Sequence, residues 1–185
     1  MMSNKKFPES YYTRVIKELL AQKKLLKETG NPELVLEDTL KMLSQLLHLN
    51  RGRIFLWNDF SQQLQIKYSY NLSDIEKCKG KYEVCEGITG DVFDTGKSAL
   101  IPDISAVANY QGKVTPRALL QETPIAYIAV PIMHNNSTLG VLAVDSILHY
   151  DGDLEANAIV LKLVAEMLGK VIDKYDLCEY ASYAA

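Results

Sequence analysis

The stretch EGITGDVFDTGKSALIPDI, residues 86–104, decides the fold of this chain. Its central part, GDVFDTGKS, at first sight matches a nucleotide-binding P-loop. A P-loop has four residues between its two glycines and a helix that begins at the lysine. Here five residues separate Gly90 from Gly96, and the apolar run Ser98–Pro102 predicts a strand instead of a helix. The stretch therefore predicts no ATP or GTP site.

The same glycines predict a joint between a strand and a short helix. Gly87 and Gly90 let the chain turn out of a strand, and Val92 and Phe93 place apolar side chains against a sheet. Gly96 suits a left-handed residue at the end of the helix. The stretch is thus expected to be a structural joint.

Two helices are predicted before this joint. Apolar residues recur at spacings of three and four over Tyr11–Glu28, which indicates an amphipathic helix. A second helix, capped by Asn31 with Pro32 in its first turn, is expected to run to about Leu49.

Strands follow these helices. Strands are predicted at 51–58 and 63–70, joined by a hairpin loop at 59–62, with a weak strand at 81–85 and another at 98–102. Two strong strands are expected at 124–133 and 139–146, and Pro131 implies an edge position or a bulge in the first of them.

A long segment, Asp103–Thr123, lies between the weaker and the stronger strands. It is polar and rich in turn residues, with a possible helical turn over 117–121, and loops of this length in compact domains are often functional lids. A long helix is predicted from Leu154 to about Leu177. The order of elements predicts an α+β fold, in which helices cover one face of a mostly antiparallel sheet.

Composition restricts the function. The chain has 185 residues, 48% of them hydrophobic and 23% charged, with a net charge of -3, which predicts one globular domain with helical extensions and no nucleic-acid binding. No apolar run approaches the roughly 20 residues of a membrane span. A cytoplasmic protein without membrane contact is expected. The three cysteines, Cys78, Cys85 and Cys178, predict no disulfide framework.

Three blocks together resemble the GAF domain family over about Asn31–Ile172. They are residues 86–104, YIAVPI at 127–132 and LGVLAVDS at 139–146, in the order that the family has them. The nearest resemblance is to the sensor domain of NifA-type activators of sigma-54 promoters. It implies an antiparallel sheet with the N- and C-terminal helices on one face and a lid loop on the other. The expected segments are an N-terminal helix (1–30), the GAF core (31–152) and an exit and dimerisation helix (153–185).

The resemblance implies a sensor that restrains or licenses an attached AAA+ ATPase module in response to a small molecule or a regulatory protein. No P-loop, GAFTGA loop or DNA-reading helix is recognisable in this chain. The ligand pocket is expected between the sheet and the lid. Six residues are candidates for it: Trp57, Asp103, Tyr110, Lys113, Arg117 and Tyr127.

Each of these candidates also has a simpler structural interpretation. Arg117 suits a bidentate contact to a dicarboxylate such as 2-oxoglutarate, but it also suits a solvated loop. Trp57 and Tyr127 suit core packing as well as a pocket wall. Asp103 suits a cap on the lid as well as a ligand contact.

An enzymatic alternative remains open. Some free-standing GAF proteins reduce free methionine sulfoxide with a cysteine inside the glycine block, whereas Cys85 lies just upstream of that block here. Neither the cysteines nor His48, His134 and His149 have the spacing of a metal site, so no metal and no cofactor is expected. No N-K-F-D-E signature of cyclic-nucleotide binding is found.

The terminal helices favour a homodimer. Residues from Leu154 to Tyr175 approach a heptad spacing that suits a seam between two copies. The same spacing also suits a helix that packs only on its own sheet.

Overall fold

The computed structural model describes residues 9–108, 110, 112–114, 124–147 and 154–178. Two helices come first, α1 (Glu9–Thr29) and α2 (Pro32–Leu47). The Asn31 side chain accepts a hydrogen bond from the Leu34 amide at 3.1 Å, as the capping prediction requires. α2 ends at Leu47, two residues earlier than predicted, and the next residue, His48, caps it in a left-handed conformation.

Six strands form one sheet. They are β1 (Arg51–Asn58), β2 (Gln63–Tyr70), β3 (Lys81–Tyr82), β4 (Ala99–Ile101), β5 (Ile125–His134) and β6 (Ser137–Ile147). Their order across the sheet is β3-β2-β1-β6-β5-β4, and every neighbouring pair is antiparallel. Three more helices complete the fold: α3 (Asp74–Lys79), α4 (Gly87–Thr95) and α5 (Leu154–Lys174), with a 3-10 turn at Ile104–Ala106. The predicted α+β class is confirmed.

The two faces of the sheet carry separate hydrophobic clusters. α1, α2 and α5 contribute to the larger cluster, which includes Leu36, Leu43, Leu142 and Leu161. α4 and the lid contribute to the smaller cluster on the opposite face, around Phe55 and Tyr127. The layer formed by α1, α2 and α5 and the described residues of the lid therefore lie on opposite sides of the sheet.

Strand β3 is shorter than the prediction of Lys81–Cys85. Only Lys81 and Tyr82 pair with β2. The chain then turns, because the Glu86 amide bonds to the Glu83 carbonyl and Cys85 adopts a positive φ of 62°. A residue in that region cannot continue a strand.

The structure confirms both alternatives predicted for Pro131, because β5 is unpaired on one side at this residue and has a bulge close to it. β4 pairs with β5 only from Tyr127 to Ala129, so it does not flank Pro131. The pairing of β5 with β6 also shifts register between Ile132 and Met133. The missing N–H of Pro131 therefore removes no bond to β4.

The residues that give α5 its heptad spacing pack in the core of the monomer, so the interpretation of this spacing as a dimer seam is wrong. Five of its residues are buried in the larger cluster, and the two at its ends pack against that cluster: Leu154, Ala158, Leu161, Ala165, Leu168, Ile172 and Tyr175. A Cβ at Gly169 would collide with the carbonyl oxygen of Met133, so the helix backbone lies directly against β5.

Among the described residues, no helix combines the length and the apolar character that a membrane span requires. The predicted helical turn at 117–121 and Arg117 lie outside those residues.

Candidate functional site

The glycine joint forms one wall of a small cavity. Gly87 has a φ of 59°, which favours glycine, and a Cβ at Gly90 would collide with the carbonyl oxygen of Glu83. This close approach lets α4 begin directly after the four-residue turn 83–86 that follows β3. Ile88 and Thr89, in the first turn of α4, are thereby placed over the sheet.

The opposite wall carries a buried ion pair that strand register brings together. Arg53 on β1 lies opposite Ala143 on β6, and Asp145 follows two residues later on the same face. Asp145 in turn lies opposite Tyr127 on β5. The two Arg53 Nη atoms donate to the two carboxylate oxygens of Asp145 at 3.1 and 2.5 Å. Both residues are 3% exposed, so this bidentate pair is shielded from solvent.

The ion pair is part of a network in which the buried polar groups are paired with one another. Burial acts to lower the pKa of the Arg53 guanidinium, but the charge and hydrogen bonds of Asp145, together with Tyr127 and Tyr82, outweigh it, and the pKa is raised. The guanidinium lies 5.3 Å from the centroid of the Tyr127 ring. The Tyr127 hydroxyl is 3.0 Å from the hydroxyl of Thr89. Burial raises the pKa of Tyr127, so its hydroxyl stays protonated at neutral pH.

The cavity between these walls is small. Its volume is about 20 Å³, and it is lined by Arg53, Tyr82, Gly87, Ile88, Thr89, Tyr110, Val114 and Tyr127. That volume holds about one water molecule, whereas ligand sites usually measure about 300–1,000 Å³. A metabolite therefore enters only if the lid moves.

Lys113 holds the lid onto the glycine joint. Its ammonium forms an ion pair with Glu86 and donates to the Lys81 carbonyl oxygen at 2.8 Å. It also lies 4.8 Å from the centroid of the Tyr82 ring. Next to it, Val114 is buried in the cavity wall. We call these contacts of Lys113 the lid latch.

The structure brings only some of the predicted site residues to the cavity. Tyr110 and Tyr127 line it. Lys113 lies in the latch, so its charge is already paired with Glu86. Arg117 lies outside the described residues.

Trp57 and Asp103 are placed elsewhere. The Trp57 ring stacks on Phe93 at 5.1 Å, and its Nε1 donates to Asp59 at 2.6 Å, so it packs beside the cavity lining. Asp103 accepts bonds from the amide and hydroxyl of Ser105 at 2.9 and 2.7 Å. These bonds lower the pKa of the Asp103 carboxyl. Asp103 thus caps the 3-10 turn, as its simpler interpretation predicts.

Arg53, Asp145, Thr89, Tyr82 and Val114 were missed by sequence reasoning. A signal for the first two exists in the sequence, because each is a charged residue directly beside the apolar run of its strand. Charged residues are seldom fully buried unless they are paired. Two opposite charges in buried strands therefore indicate a contact, although the register that joins them is not readable in advance.

Cys85 lies outside the cavity lining. It is exposed, and its hydrogen bond with Asp94 raises the pKa of its thiol. A raised pKa lowers the fraction of thiolate, which is the nucleophilic form. Among the described residues, no group of three or more His, Cys, Asp and Glu side chains is arranged to hold a metal ion.

Comparison with known proteins gives one family and several relatives. The family model of the GAF domain matches residues 31–172. The chain is 29% identical over 149 residues to nitrogen fixation protein AnfA of Azotobacter vinelandii, covering 80% of this chain and 28% of that protein. It is 29% identical over 157 residues to a Nif-specific regulatory protein of Herbaspirillum seropedicae, covering 82% and 28%. The chain thus spans less than a third of these relatives.

Solved structures share the fold. The GAF domain of NLH2 from A. aeolicus, in an inactive state, superposes with a TM-score of 0.76 at 24% identity, covering 89% of this chain and 99% of that one. A free methionine-R-sulfoxide reductase from Neisseria meningitidis, in complex with its substrate, gives 0.71 at 16% identity, covering 93% and 95%. At these identities the likeness concerns the fold alone.

Proposed function

Because the chain belongs to the GAF domain family, we propose that it is the sensor domain of a NifA-like, sigma-54-dependent transcriptional activator. In this proposal it acts in the cytoplasm, without contact to DNA or membrane, and controls an attached AAA+ ATPase module. The observation that carries it is a cavity closed by a latched lid, in a chain whose relatives bear the names of regulators. The proposed core is residues 31–152, flanked by helical segments 1–30 and 153–185.

The signal is proposed to pass through β5. Tyr127, near one end of this strand, lines the cavity, and Met133, near its other end, lies against Gly169 of α5. A ligand that displaces the lid and Tyr127 changes the position of β5, and the tight contact at Gly169 transmits this shift to the exit helix. Such coupling requires two states that bind the ligand with different affinity.

The proposed ligand is a small dicarboxylate of the 2-oxoglutarate type. Asp145 already neutralises Arg53, and Glu86 already neutralises Lys113. The dicarboxylate therefore depends on lid opening and on the guanidinium of Arg117, with Tyr110 and Tyr127 as walls. A regulatory protein that binds the lid is the other proposed signal.

Titration calorimetry with 2-oxoglutarate tests this ligand. We expect saturable heat with the unaltered chain, and a dissociation constant about tenfold higher in Arg117→Lys, since lysine keeps the charge but loses the bidentate fork. Glutarate serves as the comparison ligand without the keto group. An absence of heat at millimolar 2-oxoglutarate removes this metabolite from the proposal.

A homodimer through the terminal helices is also proposed, on a different surface from the heptad spacing. Ile16 and Leu20 on α1 and Ile159 and Leu163 on α5 are each more than half exposed, one helical turn apart on their helix. Exposed apolar stripes of this kind are typical of contacts between helices.

Sedimentation equilibrium tests that dimer. We expect Leu20→Lys combined with Leu163→Lys to raise the dimer dissociation constant at least tenfold, because each buries a charge in the interface. Phe60→Lys, in the exposed β1–β2 loop, is the matched control and should leave the constant unchanged. A chain that remains monomeric at all concentrations, or a dimer that the double variant does not weaken, contradicts the proposal.

A further inference from the structure

A groove at the edge of the sheet is much larger than the cavity under the lid. It lies between α5 and the residues that lead from α4 into β4, and its volume is about 510 Å³. Ligand sites usually measure about 300–1,000 Å³. Leu100 of β4 and Pro131 and Met133 of β5 give the groove an apolar surface, and Leu100 packs against the larger hydrophobic cluster. The groove therefore lies on the helical side of the sheet.

The groove lies where β4 and β5 separate. The antiparallel register of the two strands would place Lys97 opposite Pro131, but their pairing stops at Ala99 and Ala129. A proline has no N–H to give to a strand ladder, which suits the point at which the pairing ends. Among the described strands, none flanks β5 on this side beyond Ala129. An extended peptide can add itself to an edge of this kind.

Two lysines give the groove a positive charge. Lys97 lines it beside β4, and Lys162 lines it from α5. Neither forms an ion pair with another of the described residues. Glu166, the other charged residue of the lining, is already paired with Lys170 at 2.8 Å. The groove therefore complements a partner that brings carboxylates to both lysines.

Met133 is the adaptable part of the apolar surface. Its side chain is 38% exposed although it is large and apolar. Methionine is flexible and is common at surfaces that adapt to a bound partner. The Met133 backbone lies directly against Gly169 of α5. The side chain can therefore adjust to a partner while the strand keeps its position.

We propose that this groove binds an extended segment of a partner protein in which acidic and apolar residues alternate. Successive side chains of an extended chain point in opposite directions. The apolar side chains of the segment pack on Leu100, Pro131 and Met133, and its carboxylates pair with Lys97 and Lys162. Its backbone lies along the free edge of β5. This site is separate from the cavity under the lid and does not depend on the function proposed above.

A titration followed by nuclear magnetic resonance tests this proposal on the full 185-residue chain. The ¹⁵N-labelled protein is titrated with the pentapeptide Glu-Leu-Glu-Leu-Glu, acetylated and amidated at its ends. The same peptide with lysine in place of glutamate reverses the charge, and the same peptide with serine in place of leucine removes the apolar side chains. We expect saturable shifts of the Lys97 and Met133 amide signals with the first peptide, and at least tenfold weaker binding of the other two. Equal binding of either control peptide overturns the proposal.

Two other occupants of the groove are distinguished by the same titration. Decanoate carries a carboxylate and an apolar chain but no peptide backbone. Decanoate that binds as tightly as the acidic peptide would show a site for lipid-like anions and would overturn the proposal. An absence of saturable shifts with every peptide, as expected if a second copy of the chain covers the groove, would overturn it as well.

Two double variants of equal net charge locate the binding. Lys97→Gln with Lys162→Gln should raise the dissociation constant of the acidic peptide about tenfold, because two charge pairs are lost. Lys23→Gln with Lys174→Gln removes two exposed lysines that do not line the groove, and it should change the constant less than twofold. Equal effects of the two double variants would show that only the net charge matters, and the assignment would fail.

Discussion

Replacing Arg53 with Met is expected to lower the free energy of unfolding by about 3–5 kcal/mol, the typical cost of breaking a buried ion pair by removing one partner. Methionine fills much of the volume of arginine but leaves the Asp145 carboxylate buried without its bidentate partner. It also removes the cation that lies over the Tyr127 ring. Chemical denaturation at neutral pH measures the loss.

Arg51 on the same strand is the matched control. Its Nη1 lies 3.0 Å from Glu76, with both side chains about a quarter exposed. Arg51→Met should therefore cost about 1 kcal/mol or less. Adding Asp145→Asn to Arg53→Met should restore part of the lost stability, since the buried charge is then gone. Equal losses of unfolding free energy in the Arg51 and Arg53 variants would show that the buried pair stabilises the fold no more than the more exposed one.

Replacing Lys113 with Met is expected to open the lid about 30-fold more often. The latch combines a charged hydrogen bond, a half-buried ion pair and a cation–π contact, and together these are worth about 2 kcal/mol. One factor of ten corresponds to about 1.4 kcal/mol. Hydrogen exchange of the Val114 amide, which lies next to the latch, measures the opening directly. Binding of any ligand that requires an open lid should become tighter by a similar factor.

Lys81→Met is the control for the latch. Lys81 contributes its backbone carbonyl to Lys113, and its own side chain is exposed. This variant should therefore leave exchange at Val114 unchanged, whereas Glu86→Gln should increase it part of the way. Unchanged hydrogen exchange at Val114 in Lys113→Met would show that the contacts of Lys113 do not hold the lid closed.

Local sequence chemistry was sufficient to predict much of the fold. Asn31 and Pro32 mark a helix start, and strands β1 and β2 occupy the residues that their apolar and β-branched pattern indicates. Gly96 ends α4 with a φ of 63°, as a left-handed terminus requires. These features depend on neighbours along the chain, which a sequence displays directly.

The cavity depends on contacts between distant residues, and these were harder to predict. Lys113 has the chemistry of an anion-binding residue. The fold instead brings it to Glu86, which lies 27 residues earlier in the sequence, and the two form part of the lid latch. The heptad spacing of α5 was compatible with a partner helix and with the sheet, and only packing decides between them. Arg53 and Asp145 meet because β1 pairs with β6, a register that no local pattern encodes.

The proposed function requires that the cavity under the lid takes up a small molecule. Native mass spectrometry of the chain tests it, after incubation with the small-molecule fraction of a bacterial extract and with the denatured mass as reference. We predict an added mass that is present only under native conditions and is retained by a larger share of Lys113→Met than of the unaltered chain. A native mass equal to that of the polypeptide alone, or of its dimer, in both proteins would contradict the claim.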